Sequence, residues 1–285
     1  MLSLATTALG IGWTGFGAFT LRNSFNSVVN KVLFNRYTNL NLTKHRKKNF
    51  YNYEKFKTIY IHSLDKNYSQ TVVYFHGSGG TIHDREFVCQ MLDYFEVNYI
   101  IVEYPIGMND VLLPENLKQM SEAVDYILEY HKLEHDVIWG TSLGGNVATW
   151  LFNNNKKYKK LVHCVSFFDL SDSDSKTISS VSKLYRITLP KNITNEKLID
   201  DDRKKLIIST KRDEYFKSQI QTHQVTESEN VKILYVSGSH STIQLQNASK
   251  DISSWGGFRN PTEGEWAYLD SLRHVVLINM TDLYD

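Results

Sequence analysis

The hydrophobic positions of this chain fall into short apolar runs separated by longer stretches in which apolar residues recur at helical spacing. Residues 57–63, 71–75, 99–104, 137–139, 161–168, 205–209 and 231–236 are runs of the first kind, rich in Val, Ile, Tyr and Phe. Short runs of that composition, bounded by polar and Gly-containing segments, predict buried strands. Residues 83–94, 114–130 and 146–152 carry the longer period and predict helices. Pro114 followed by Glu115 suits a helix start, because a proline in the first turn gives up no hydrogen bond. Strand and helix therefore alternate, which predicts an α/β protein built on a mainly parallel sheet with helices on both faces.

The pattern breaks in two places. Between residues 169 and 203 it dissolves into Ser-Asp repeats and a short mixed segment, long enough for a small cap over a site. At the other break, residues 1–21 carry no charged side chain, and about 20 apolar residues are the length of a membrane helix. Four glycines with several Ser and Thr dilute that segment, and no basic stretch or cleavage site marks a secretory signal.

Charge sharpens the boundary. Residues 1–53 hold seven basic side chains and no acidic one, whereas the other 232 residues hold 25 basic and 31 acidic. We therefore divide the chain into an N-terminal apolar segment and basic linker (1–53) and an α/β domain (54–285). Positive charge following the apolar segment would leave the domain on the cytoplasmic or matrix-like side of a membrane. The residues leave three readings of 1–21 open: a membrane anchor, a mitochondrial or other organelle-targeting segment, or a helix packed on the domain. Gly10, Gly12 and Gly15 fit a dinucleotide-binding spacing, but no strand precedes them and no βαβ unit follows. The basic run at 44–48 lacks aromatic interleaving or a nucleic-acid fold, so no nucleic-acid partner is expected. Two cysteines make neither a disulfide framework nor a zinc site.

The chemistry is concentrated at Gly140-Thr141-Ser142-Leu143-Gly144, between a predicted strand and a predicted helix. Gly-x-Ser-x-Gly in that setting is a nucleophile elbow, a turn so sharp that side chains at Gly140 and Gly144 would collide across it. A second loop, His76-Gly77-Ser78-Gly79-Gly80, follows the strand at 71–75. A serine needs a base, and the base an orienting acid. Asp213 follows the strand at 205–209, and His240 follows the strand at 231–236 in Gly238-Ser239-His240. Glu214 and Asp169 remain rivals for the acid, and His274 for the base.

These motifs, in this order, resemble the α/β-hydrolase superfamily, with the likeness covering most of 53–272. The resemblance implies an α/β-hydrolase fold with a catalytic triad of Ser142, Asp213 and His240. It also implies an oxyanion hole formed by the Ser78 and Leu143 amides, with His76 and Gly77 supporting the loop. It implies no cofactor and no metal. The chain departs from the common pattern after the strand at 99–104, where Glu103-Tyr104-Pro105-Ile106-Gly107 stands in place of Asp-Tyr-Arg-Gly. The expected activity is serine hydrolysis of a carboxylic ester or thioester, with a lipid or lipidated protein favoured if residues 1–21 sit at a membrane. A catalytically silent scaffold holding a protein partner in a membrane complex, and an acyltransferase, are the alternatives.

Overall fold

The structure is a computed structural model that describes residues 48–53, 56–65, 67–77, 86–104, 114–167, 201–213, 215–217, 222, 225–240 and 242–271. The apolar segment 1–21, Ser78, most of the cap segment at 169–203, and the rivals Asp169, Glu214 and His274 lie outside these residues. Among the described residues, no helix is long and apolar enough to cross a membrane.

Eight strands form one sheet: β1 (Lys48–Tyr53), β2 (Phe56–Ser63), β3 (Thr71–Phe75), β4 (Asn98–Val102), β5 (Val137–Thr141), β6 (Lys160–Cys164), β7 (Lys204–Thr210) and β8 (Val231–Val236). Their spatial order is β1-β2-β4-β3-β5-β6-β7-β8. β2 pairs antiparallel with both β1 and β4, and every other neighbouring pair is parallel. The helices are α1 (Glu86–Tyr94), α2 (Pro114–His131), α3 (Leu143–Asn154) and α4 (Ser249–Gly256), followed by helical residues 263–271.

β1 ends at the boundary drawn at residue 53. Lys48–Tyr53 belongs to the sheet as its edge strand, although it lies on the linker side of that division. The segment KNFYNY places three aromatic residues, which favour extended backbone, directly after a basic run. The charge pattern masked a strand.

The core has two halves because successive strand residues face opposite sides of a sheet. Val72, Tyr74, Tyr99 and Ile101 pack with Cys89, Met91 and Leu92 of α1 and with Ile252, Trp266 and Leu269. Val73, Phe75, Ile100 and Val102 pack on the other face with Leu117, Met120 and Val124 of α2 and Val147, Leu151 and Phe152 of α3. The middle strands β3 and β4 are buried along their whole length. The loops that follow the C-terminal ends of β3, β4, β5, β7 and β8 emerge on one rim, where ligand sites of open α/β sheets form.

Candidate active site

Ser142 sits between β5 and α3 with φ 54° and ψ −124°. A non-glycine residue in that region costs on the order of 1–3 kcal/mol and persists only where its surroundings hold it. Here the Ser142 amide donates to the Cys164 carbonyl at 3.0 Å, and its own carbonyl accepts from the Gly145 amide at 2.9 Å. The fully buried Ser166 hydroxyl donates to the same carbonyl. The flanking glycines are sterically required. A Cβ on Gly140 would overlap the Gly144 backbone, and one on Gly144 would overlap the carbonyls of Phe75 and His76.

The other two sequence-predicted residues meet Ser142 across the rim. The Ser142 hydroxyl lies 2.8 Å from His240 Nε2, and His240 Nδ1 lies 2.7 Å from Asp213 Oδ2. A carboxylate can only accept, so Nδ1 carries the proton and Nε2 is left to accept from the serine. The Asp213 side chain is fully buried, and that of His240 is 12% exposed. Asp213 Oδ1 accepts the backbone amides of Tyr215 at 2.9 Å and Phe216 at 2.8 Å. One carboxylate oxygen is thus committed to its own loop and the other to the imidazole. The rings of Tyr215 and Phe216 flank His240 at 5.1 and 5.9 Å between centroids.

The loop carrying His240 is tied to β7. Gly238 has φ 101°, a conformation suited to glycine, and its carbonyl accepts from the Thr210 hydroxyl at 2.5 Å. Thr242 Oγ1 accepts the Ser239 amide at 3.1 Å. These contacts fix the height of the imidazole above the sheet.

Of the expected oxyanion donors, Leu143 opens α3, where a helix amide has no carbonyl partner within its own helix. Ser78 lies outside the described residues, but the loop can be followed to Gly77. A Cβ on Gly77 would stand 3.2 Å from Ser142 Cβ, so the loop passes directly beside the serine. His76 is almost fully buried. Its Nδ1 lies 2.7 Å from the Gly77 carbonyl and its Nε2 3.0 Å from Glu103 Oε1.

Sequence reasoning missed Glu103 as part of this assembly, and it missed Ser166 and the aromatic pair beside His240. The Asp-x-Tyr-Phe turn was a readable signal, since Asp side chains commonly accept amides two or three residues on. His163 lies in β6 beside Gly140 of the elbow. Burial lowers its pKa to about 4, opposed by a backbone hydrogen bond with Phe167. Among the described residues, no three His, Cys, Asp or Glu side chains gather where a metal ion could sit.

An eight-stranded sheet in this order, with one antiparallel strand and a serine on a strained strand–helix turn, is the α/β-hydrolase fold. Solved structures carry the same architecture. A Pyrococcus furiosus esterase superposes with TM-score 0.54 at 14% identity, covering 75% of this chain and 89% of its own. An esterase/lipase from an uncultured bacterium gives 0.56 at 11% identity over 90% of this chain and 89% of its own. A hormone-sensitive lipase from a metagenome library gives 0.54 at 16% identity over 82% and 86%. At such identities the likeness is one of fold. No protein-family model matches the chain.

Proposed function

We propose that this chain is a serine hydrolase that cleaves a carboxylic ester or thioester through an acyl-enzyme on Ser142. The observation that carries this reading is the unbroken path from the Ser142 hydroxyl through His240 to Asp213, at 2.8 and 2.7 Å, on a strained elbow. Ser142 attacks the acyl carbonyl while His240 Nε2 takes its proton. Asp213 orients the ring and balances the imidazolium charge. The Leu143 amide, with that of Ser78, receives the oxyanion, and His240 returns the proton to the leaving group. Water, deprotonated by His240, then releases the acid and restores the serine. The esterases and lipase that share the fold agree with ester substrates.

The basic N-terminal region leads us to place the domain at a membrane surface, where a lipid or lipidated protein would be the acyl donor. Flotation of the full chain with vesicles tests this placement, and a chain that stays with the soluble fraction removes it.

The mechanism is tested with a fluorophosphonate probe and mapping of the adduct. Wild type should be labelled on Ser142, and Ser142→Ala and His240→Ala should not be labelled. Turnover of a p-nitrophenyl ester should fall at least about 10⁴-fold in Ser142→Ala. Ester turnover surviving that change would disprove the acyl-enzyme.

A further inference from the structure

Glu103 has no part in the mechanism above, yet its carboxylate sits under the loop that borders the nucleophile. The sheet puts it there. Phe75 and Val102 are register partners in the parallel pair β3/β4, so the next residue of each strand, His76 and Glu103, faces the other as the chains leave the sheet. Glu103 Oε1 then lies 3.0 Å from His76 Nε2 and accepts the Tyr104 amide at 2.9 Å.

Each partner passes the constraint on to a different carbonyl of the loop. His76 Nδ1 lies 2.7 Å from the Gly77 carbonyl, and the Tyr104 hydroxyl donates to the His76 carbonyl. The His76 and Tyr104 rings also pack at 4.5 Å between centroids. Because a peptide unit is planar and trans, fixing a carbonyl fixes the direction of the amide that follows it. The held His76 carbonyl therefore directs the Gly77 amide, and the Gly77 carbonyl is constrained in turn by the His76 ring. A donor on the carbonyl also polarises the peptide unit and strengthens its N–H.

We propose that Glu103 is a positioning residue for the oxyanion site, acting through His76 and Tyr104 on two successive peptide units of the loop beside Ser142. This rests on the hydrolase reading. The burial of the assembly fits the role: His76 and Tyr104 are each 1% exposed and Glu103 is 8% exposed, so water does not replace a lost partner. An acidic side chain held this deep needs polar partners, and the two named here, His76 and Tyr104, belong to the loop machinery.

The test compares wild type with Glu103→Gln, which keeps shape and an acceptor, and Glu103→Ala. Active sites are counted by fluorophosphonate titration, and p-nitrophenyl acetate turnover is expressed per titrated site. A positioning role predicts kcat lower by about 10²-fold in Glu103→Ala, the scale of a lost oxyanion donor, with Glu103→Gln between it and wild type. KM should stay within about threefold, because ground-state binding draws little on the oxyanion donors. Affinity for a trifluoromethyl ketone, which forms a tetrahedral oxyanion on the serine, should fall in step with kcat. If the variants lose titratable sites while turnover per site and ketone affinity remain at wild-type values, Glu103 only supports folding and the proposal is overturned. A wild-type chain that takes no probe would instead remove the hydrolase reading. Amide hydrogen exchange over residues 75–80 then decides the loop inference: faster exchange in Glu103→Ala supports it, and unchanged exchange overturns it.

Discussion

At the scale of single residues, the elbow shows how little room the site leaves. Gly144 lies against the end of β3, where the carbonyls of Phe75 and His76 occupy the space a Cβ would need. Replacing it with alanine must move either α3 or the loop that starts at His76. We expect Gly144→Ala to cost about 1–3 kcal/mol, the usual penalty for overpacking. Fluorophosphonate labelling of Ser142 should fall even in the fraction that remains folded. Gly264 is the control. It is exposed within helical residues 263–271, with nothing near its would-be Cβ. Gly264→Ala should leave labelling unchanged and raise the melting temperature, since alanine is favoured over glycine in a helix by about 0.5–1 kcal/mol. Equal behaviour of the two variants would mean that close approach at the elbow does not control reactivity.

At the scale of elements, α3 matters most, because its first residue follows the nucleophile and its last turn is held from a distant strand. Arg203, just before β7, sends Nη2 to the Phe152 carbonyl at 2.6 Å and Nη1 to the Asn155 and Tyr158 carbonyls at 3.1 and 2.8 Å. Its guanidinium lies 3.6 Å over the Phe152 ring. A cation at this end satisfies carbonyls that the helix itself leaves unpaired and complements its dipole. Asp201 steadies the guanidinium through Nε at 2.8 Å, and Arg203 in turn holds the Asp201 carboxyl well below the usual carboxylate range. Arg203→Met should therefore lose about 2–4 kcal/mol in urea unfolding at neutral pH, from several buried acceptors left unpaired. Arg203→Lys should recover only part of this, because an ammonium cannot reproduce the fork. A loss below about 0.5 kcal/mol, the level of an ordinary surface change, would show the clamp to be decorative.

The two ends of α3 also show what the sequence could reveal. Its start was legible, since Gly-x-Ser-x-Gly between an apolar run and a helical run has a local cause. Its end was not, because Arg203 acts across 51 residues and looks like any charged residue before a strand. The same distinction runs through the site. Asp213 and His240 could be located as the residues beyond predicted strands. Glu103 acquires a partner only when β3 and β4 lie in register, and no local pattern encodes that register. β1 was hidden differently, by a basic run that made an aromatic strand look like a linker.

For the whole molecule, the two-sided core places one ionisable ring where it influences global stability. His163 is fully buried in β6, opposite Gly140 of β5 and Ile207 of β7. Burial brings its pKa to about 4 from an ordinary 6.5. Between these values the unfolded chain takes up a proton that the folded chain refuses. Stability must then fall as pH falls from 6.5 towards 4, and this group adds no further loss below that. The integrated effect at pH 4.5 is about 2–3 kcal/mol relative to pH 7. Asp201 works in the same direction but lower: its depressed carboxyl stabilises the fold above its ordinary pKa and loses that contribution as acid protonates it. Comparing wild type with His163→Leu separates the two, because Asp201 is common to both chains. The leucine variant has its own cavity and packing cost, but that cost does not titrate. Urea unfolding at pH 7 and pH 4.5 should show wild type losing about 2–3 kcal/mol more than His163→Leu over the interval. Parallel losses in the two chains would mean that His163 is protonated as readily in the fold as outside it, and that the sheet beneath the elbow admits water.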